Sequence, residues 1–313
     1  MSDMWRHAYS CDVFAQSVAS CLLATSHDVC ISYLHEDCLR ECQKRHWRSH
    51  KSSCQKRARE IKDEALFRET PPKNECPICM MRLEWEPEKA TFQLCCGKSI
   101  SIGCMESITA AALDHLRAGN SFETSIELTN CPLCRTPGHE SDEVGIRMLN
   151  KFLEANPNNP DAIHFLAYQL LTGGMGLPRD VDRANKLFKK AGGEHGHTEA
   201  LNCLGNSYRL GRGVPMDEKK SVHYYELAAM SGDPKARFNL GVTEEMEGDE
   251  ERAATHCVLS AKGGFEKATG RLKGLFQQGA VTKEEYAQAL YGYKKYLDEV
   301  TSDQWKTASE VVY

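Results

Sequence analysis

Ala200, Leu204 and Tyr208 stand four residues apart, the spacing that puts apolar side chains on one face of a helix. Gly211-Arg212-Gly213 then supplies the positive-φ turn that ends such a helix. A second helix is expected after Asp217, with Val222, Tyr225 and Ala229 on its inner face and its end at Gly232-Asp233-Pro234. Small residues such as Gly205 and Ala228 let the two helices approach closely. The product is a helical hairpin, which cannot bury its apolar face alone and has to stack on a neighbour.

The pattern repeats. Ala200, Leu204, Gly205 and Tyr208 recur 36 residues later as Ala236, Leu240, Gly241 and Glu244, and Ala162, Leu166 and Ala167 precede the first three of them by 38. Gly176-Leu177-Pro178-Arg179-Asp180 precedes Gly213-Val214-Pro215-Met216-Asp217 by 37 residues. A third copy, Ala236 to Ala268, is shortened at Glu247-Gly248-Asp249, so its hairpin is expected to be tighter. Beyond it, Thr282 with Glu285 forms a capping box, and Tyr286, Leu290, Tyr293 and Leu297 mark a final amphipathic helix that closes the stack. Over roughly residues 157–270 this resembles Sel-1-like repeats, relatives of the tetratricopeptide repeat. The resemblance implies a solenoid of hairpins that docks a client protein. Asn202, Asn206 and Arg209 alternate with the core stripe and are expected to face outward into its groove.

Length and composition add a second half of different character. A chain of 313 residues, 41% hydrophobic and 27% charged, is read as two or three soluble globular units. No run reaches the ~18 apolar residues of a membrane helix. The most apolar early stretch, Val13 to Thr25, is broken by Gln16, Ser17 and Ser20 and lacks a basic lead-in. The expectation is an intracellular protein, cytoplasmic or nuclear, with no membrane partner. Of 15 cysteines, all but Cys203 and Cys257 fall in the first 134 residues, a density that in a reducing compartment points to metal rather than disulfides. Charge is also divided: Gln43 to Lys62 carries eight Lys or Arg against one Glu, a local +7 that leaves −12 for the rest of a chain of net −5. Lys56-Arg57-Ala58-Arg59 is readable as an import signal or nucleic-acid contact, but only Trp47 interleaves an aromatic, so a solvated helix face running into a linker is favoured over nucleic acid.

Cys76-Pro77-Ile78-Cys79 and Cys131-Pro132-Leu133-Cys134 are two C-x2-C pairs, each able to place two thiolates on one ion at ~2.3 Å, and they flank Cys95, Cys96 and Cys104. Residues 76–135 resemble a RING finger. That resemblance implies two interleaved zinc sites: Cys76, Cys79 and Cys104 with Ser101 where a cysteine is usual, and Cys95, Cys96, Cys131 and Cys134. A hydroxyl stays protonated near neutral pH, so the first site would keep zinc with water, lose it, or borrow another side chain. It further implies a ubiquitin-conjugating enzyme held by Ile78, Pro132 and Leu133, with Arg135 bridging to ubiquitin. Thiol catalysis by Cys104 is disfavoured, because metal spacing claims nearly every cysteine nearby.

Upstream, Cys38-x3-Cys42-x7-His50-x3-Cys54, with Gln43, Trp47 and Lys51, resembles the second half of a MYND finger. His27-x2-Cys30 would complete a site with His50 and Cys54, while Cys38 and Cys42 would depend on Cys21 and one unassigned ligand. The expected fold is therefore mainly α. An irregular segment (residues 1–35) precedes a MYND-like half (36–56), a basic helical linker (57–75), a RING-like module with little β (76–136), helical repeats (142–281) and a capping helix with tail (282–313). Two functions remain open: a zinc-binding adaptor with RING-type ubiquitin-ligase character, whose repeats hold the client, or a non-catalytic zinc-finger and repeat scaffold.

Overall fold

The computed structural model describes residues 47–68, 75–81, 83, 90–119, 130–139 and 141–300, with backbone alone for Trp47 to Gln55 and for Arg57. Cys38 and Cys42 lie outside the described residues, and so do the side chains of His50 and Cys54, although both sit on helical backbone. Helix α1 (Trp47–Leu66) is followed by an antiparallel hairpin, β1 (Ala90–Gln93) and β2 (Lys98–Ser101), and by α2 (Ile102–Arg117). Helices α3 (Asp142–Ala155), α4 (Pro160–Thr172) and α5 (Val181–Phe188) follow, α5 running into a π-helical turn at Lys189–Glu194. Then come α6 (Thr198–Leu210), α7 (Glu218–Met230), α8 (Pro234–Met246), α9 (Glu250–Lys262), α10 (Glu266–Gln278) and α11 (Lys283–Val300). Among the described residues no helix is long and apolar enough to cross a membrane.

The repeated sequence is a repeated set of helix caps. The first helix of each hairpin starts on a side chain that accepts the third backbone N–H: Asn159 from Ala162 at 2.9 Å, His197 from Ala200 at 3.2 Å and Asp233 from Ala236 at 2.9 Å. The second helix starts on Asp180, Asp217 or Asp249, each accepting likewise at 3.0, 3.0 and 3.1 Å. The recurring Gly-x-Pro-x-Asp thus ends in an N-cap, a residue worth ~1 kcal/mol to its helix. Gly173 and Gly211 end the first helices in the left-handed conformation. The third hairpin turns on Gly248 (φ 86°) and keeps only the aspartate of the motif, which makes it tight as expected.

Close contact within a hairpin depends on Gly205, where a Cβ would stand 2.5 Å from Cε1 of Tyr225. Tyr225 is fully buried in α7, and its hydroxyl donates to Asn206 at 2.9 Å and accepts from Arg209 Nε at 3.2 Å. This network corrects the expected outward placement of two of the three polar residues of α6: Arg209 is exposed as expected, but Asn206 is half-buried. Asn202 is buried and accepts from Asn239 Nδ2 at 3.1 Å, tying one hairpin to the next instead of lining a groove. In α11 the buried face is Ala289, Tyr296 and Val300, so Leu290, expected inside, is exposed. The helix is rotated because Gly264 lets the Tyr296 ring pack directly on its backbone. Thr282 and Glu285 do form the reciprocal capping box, at 2.9 Å and 3.2 Å.

Asp233 combines its cap with complete burial, and its second oxygen has no hydrogen-bond partner. Burial raises its carboxyl to about 7 against the pull of the Ala236 N–H, with Glu199 nearby adding to the rise. Between the ordinary value of 3.8 and about 7 the folded state therefore binds the extra proton, so this residue's contribution to stability falls as pH rises through that window. Asp233→Asn keeps the cap and removes the charge. It is expected to raise stability at pH 8 by about 3–4 kcal/mol and to have little effect at pH 3.5. Urea unfolding at both pH values checks this, and equal effects at both would contradict it.

Candidate metal centre

Cys76 and Cys131 open two turns of the same construction. Cys76 N–H donates to Met81 C=O at 2.8 Å and its own C=O accepts from Met80 N–H at 2.9 Å; Cys131 pairs with Thr136 and Arg135 at 2.9 and 2.8 Å. Both turns close on a left-handed residue, Met80 (φ 59°) and Arg135 (φ 60°). This is how C-x2-C becomes a knuckle, with two sulfurs converging on one side. Between the knuckles, the β hairpin pairs Ala90 with Ser101 and Gln93 with Lys98, which leaves Cys95 and Cys96 in its turn. Gly97 (φ 65°) completes that turn. At the far end of β2, Ser101 becomes the N-cap of α2, accepting from Cys104 N–H at 3.4 Å, and Cys104 enters with the first helical turn.

These elements bring the seven cysteines into two groups. Cys95, Cys96, Cys131 and Cys134 have all their sulfurs within 4.8 Å of one another, as do Cys76, Cys79 and Cys104. Cys96 to Cys131 and Cys76 to Cys104 measure 3.8 Å, and Cys134 to Cys95 measures 3.3 Å. Four sulfurs at ~2.3 Å from a tetrahedral ion lie ~3.8 Å apart, whereas a disulfide needs ~2.05 Å, so the spacing fits a metal and not a bridge. None of the seven is in a disulfide. The second group offers four sulfurs. The first offers three, with Ser101 Oγ 3.7 Å from Cys79 Sγ at the fourth corner.

The electrostatics agree with the geometry. Burial and then the neighbouring sulfurs of Cys134 and Cys131 raise the Cys95 thiol, and burial with the repulsion of Cys131 pushes Cys96 up to about 11. Burial likewise lifts Cys104 to about 12 despite the Ser101 hydroxyl. Cys76 is brought down to about 7 because N–H groups of Cys79, Ser101 and Ile78 outweigh its burial; Ser101 N–H lies 3.4 Å from its sulfur. Crowded thiols cannot all ionise without a countercharge, and a divalent cation reverses that balance.

Ile78 and Leu133, one in each knuckle, are each 37% exposed, and Arg135 is exposed as well, while Pro132 is half-buried. The module is not free-standing. Leu94, next to Cys95, is buried in one core with Leu149, Ile163, Leu166 and Phe188, and Phe92 stacks on Phe165 with ring centroids 4.8 Å apart. Gly97 permits the Phe152 ring to lie against the cysteine turn, where a Cβ would be 2.5 Å from Cζ. Nothing in the spacing of residues 90–97 marks this docking, because its partners lie tens of residues downstream.

The Sel1 repeat family model matches residues 160–192 and 198–233, which are the hairpins α4–α5 and α6–α7. The chain is 35% identical over 125 residues to the rat DAP3-binding cell death enhancer 1, covering 39% of this chain and 24% of that protein. It is 31% identical over 99 residues to chitin synthase regulatory factor 4 of Schizosaccharomyces pombe, covering 31% and 16% respectively. With the chitin synthase regulator SKT5 of Saccharomyces cerevisiae it shares 27% over 191 residues, or 45% and 27% of the two chains. It thus spans only about a quarter of the length of the first of these relatives. A solved Sel1 repeat protein from Oxalobacter formigenes shares 32% identity over 41% of this chain and 97% of its own, with a TM-score of 0.36. Two tandem Sel1 repeats, at residues 160–192 and 198–233, form the centre of this chain's helical solenoid.

Proposed function

We propose that this chain is a protein-interaction scaffold, in which the Sel1 repeats bind protein partners and a zinc-stabilised cysteine module closes their N-terminal end. The observation that carries this reading is the pair of matched Sel1 repeats, continued by further hairpins into one stack. The names of the relatives support it: one is called a binding protein and two are called regulators of another enzyme. Zinc would be held by Cys95, Cys96, Cys131 and Cys134, and by Cys76, Cys79 and Cys104 with Ser101 at the remaining corner. A photo-crosslinking residue at Tyr168, which is exposed on α4, tests the scaffold role in the full chain. Defined adducts with partner proteins are expected there, and adducts formed only from a probe at Met80 in the knuckle would overturn it.

One observation favours adding RING-type ligase character. Ile78 and Leu133 point partly into solvent rather than filling the knuckles, which leaves an apolar pair for a conjugating enzyme, with Arg135 close by in sequence. Losing a buried apolar contact at an interface costs ~2 kcal/mol at a hot spot. Ile78→Ala should then slow ubiquitin discharge from charged conjugating enzymes more than tenfold. If the wild-type chain accelerates discharge from none of a panel, the scaffold role stands without catalysis.

A further inference from the structure

The last turn of α1 ends inside the repeats. Leu66 is 1% exposed, in the cluster built by Leu201, Tyr225, Leu227 and Leu240. The guanidinium of Arg237, on α8, donates to the Leu66 carbonyl at 2.6 Å and to the Arg68 carbonyl at 2.8 Å. Arg252, at the start of α9, pairs with Asp63 at 2.9 Å and with Glu244 at 3.0 Å, and lies 5.1 Å over the ring of Phe67. Lys62 pairs with Glu226 of α7 at 2.7 Å. Beneath Phe67 lies His256, its ring centroid 4.8 Å away. His256 is fully buried, and neither of its ring nitrogens has a hydrogen-bond partner.

We propose that the Arg237, Arg252 and His256 surface of α7, α8 and α9 is a recognition site for the C-terminal end of a helix that carries an acidic residue one turn before a closing Leu-aromatic pair. In this reading α1 fills the site in cis, and a client helix of the same chemistry takes it by displacing α1. The inference rests on the reading of the repeats as a protein-binding stack.

Three features separate this contact from an ordinary piece of core. Its centre is read through main-chain carbonyls: the last carbonyls of any helix lack partners and carry its negative dipole end, and Arg237 supplies donors and positive charge together. Its side-chain content is that of an interface, with arginines and an aromatic at the centre and ion pairs around them. And α1 satisfies the site incompletely. A buried imidazole left without a partner is unfavourable, so an occupant that offers a polar tip at the place of Phe67 would fit better than α1 does. Covalent attachment offsets that deficit, since a tethered segment sees its site at millimolar-order effective concentration. An imperfect ligand held by its tether is one that a better ligand can replace.

The test uses a fluorescent peptide of residues 56–68, its Phe67→Tyr counterpart, and the full chain. In the chain variant Asp63→Arg/Phe67→Ala the α1 end is unlatched, and the peptide is expected to bind at least tenfold more tightly than to wild type. Adding Arg237→Ala should abolish that binding, and the tyrosine peptide should bind more tightly than the phenylalanine one. Equal weak binding to wild type and to a natively folded unlatched variant would overturn the proposal. Should the unlatched variant not fold, hydrogen exchange in the wild-type chain decides. Amides of residues 62–68 are expected to open at least 100-fold more often than those of α8 and α9, and exchange of the α1 end only with global unfolding of the repeats would overturn the proposal. Partner adducts from Tyr168 together with a silent peptide would reject this site and leave the scaffold role intact.

Discussion

Cys131→Ser is expected to release the zinc proposed for the cysteine module and to loosen the first repeat with it. Binding free energy of a structural zinc is folding free energy, on the order of 10 kcal/mol per site, and Cys131 is the buried member of the four-sulfur group. Hydrogen exchange should become fast across residues 90–104 and 130–136. Because Leu94 and Phe92 belong to the core of α3 and α4, those helices should exchange faster as well, while α8 to α11 are unaffected. Metal analysis alongside the exchange data checks both parts; a variant with wild-type zinc and wild-type protection would refute the metal assignment. Ser101→Cys is the converse substitution. It adds a fourth sulfur to the other group but gives up an N-cap of ~1 kcal/mol, so chelator should remove zinc at least tenfold more slowly with only a modest net gain in melting temperature.

Gly205→Ala is the second substitution for which a large effect is expected, on the order of 2–3 kcal/mol of stability. The added Cβ meets the Cδ1–Cε1 side of the Tyr225 ring, and that ring has no free direction to turn. It is fully buried and its hydroxyl is tied to Asn206 and Arg209. The helices α6 and α7 must separate instead, which also stretches the Ser221 hydroxyl bond to the Gly205 carbonyl, now 2.9 Å. Alanine is the better helix former by ~1 kcal/mol, so a loss measured by urea unfolding would isolate the steric term. Ala167 at the corresponding place in the preceding repeat is the comparison: Ala167→Gly should cost only about 1 kcal/mol of helix propensity and a small cavity. A Gly205→Ala change below about 0.5 kcal/mol would mean that the hairpin yields more readily than its packing implies.

How much of this was legible beforehand depended on the range of the interaction. The hairpins, their aspartate caps, the Gly211 turn and the Thr282 box rest on residues within one or two turns of each other, and periodicity exposes such contacts. The two C-x2-C knuckles were also readable, because a knuckle announces itself in four residues, whereas which of Cys95, Cys96 and Cys104 joins which knuckle was implied only by the RING resemblance. What escaped is what joins the parts. Leu94 in the first repeat's core, Asn202 bonded to Asn239, and the α1 end on Arg237 follow from no local pattern; the last of these spans 171 residues. The stretch expected to be a basic linker is basic on the sides that remain exposed, yet Leu66 at its end is buried like any core leucine. A single apolar pair at the end of a charged helix produces too weak a periodic signal to be distinguished from chance.

Met80 and Arg135 occupy the equivalent place in the two knuckles, both with positive φ. Any L-residue other than glycine is less comfortable there by about 1 kcal/mol or more. Glycine would relieve the strain, and Met80 gains little burial in return, being 67% exposed. The module therefore carries strain at two symmetric points, one bearing an exposed thioether and the other an exposed guanidinium. For engineering, the corollary is that Met80→Gly and Arg135→Gly should each make a sturdier module, whereas most surface substitutions would not.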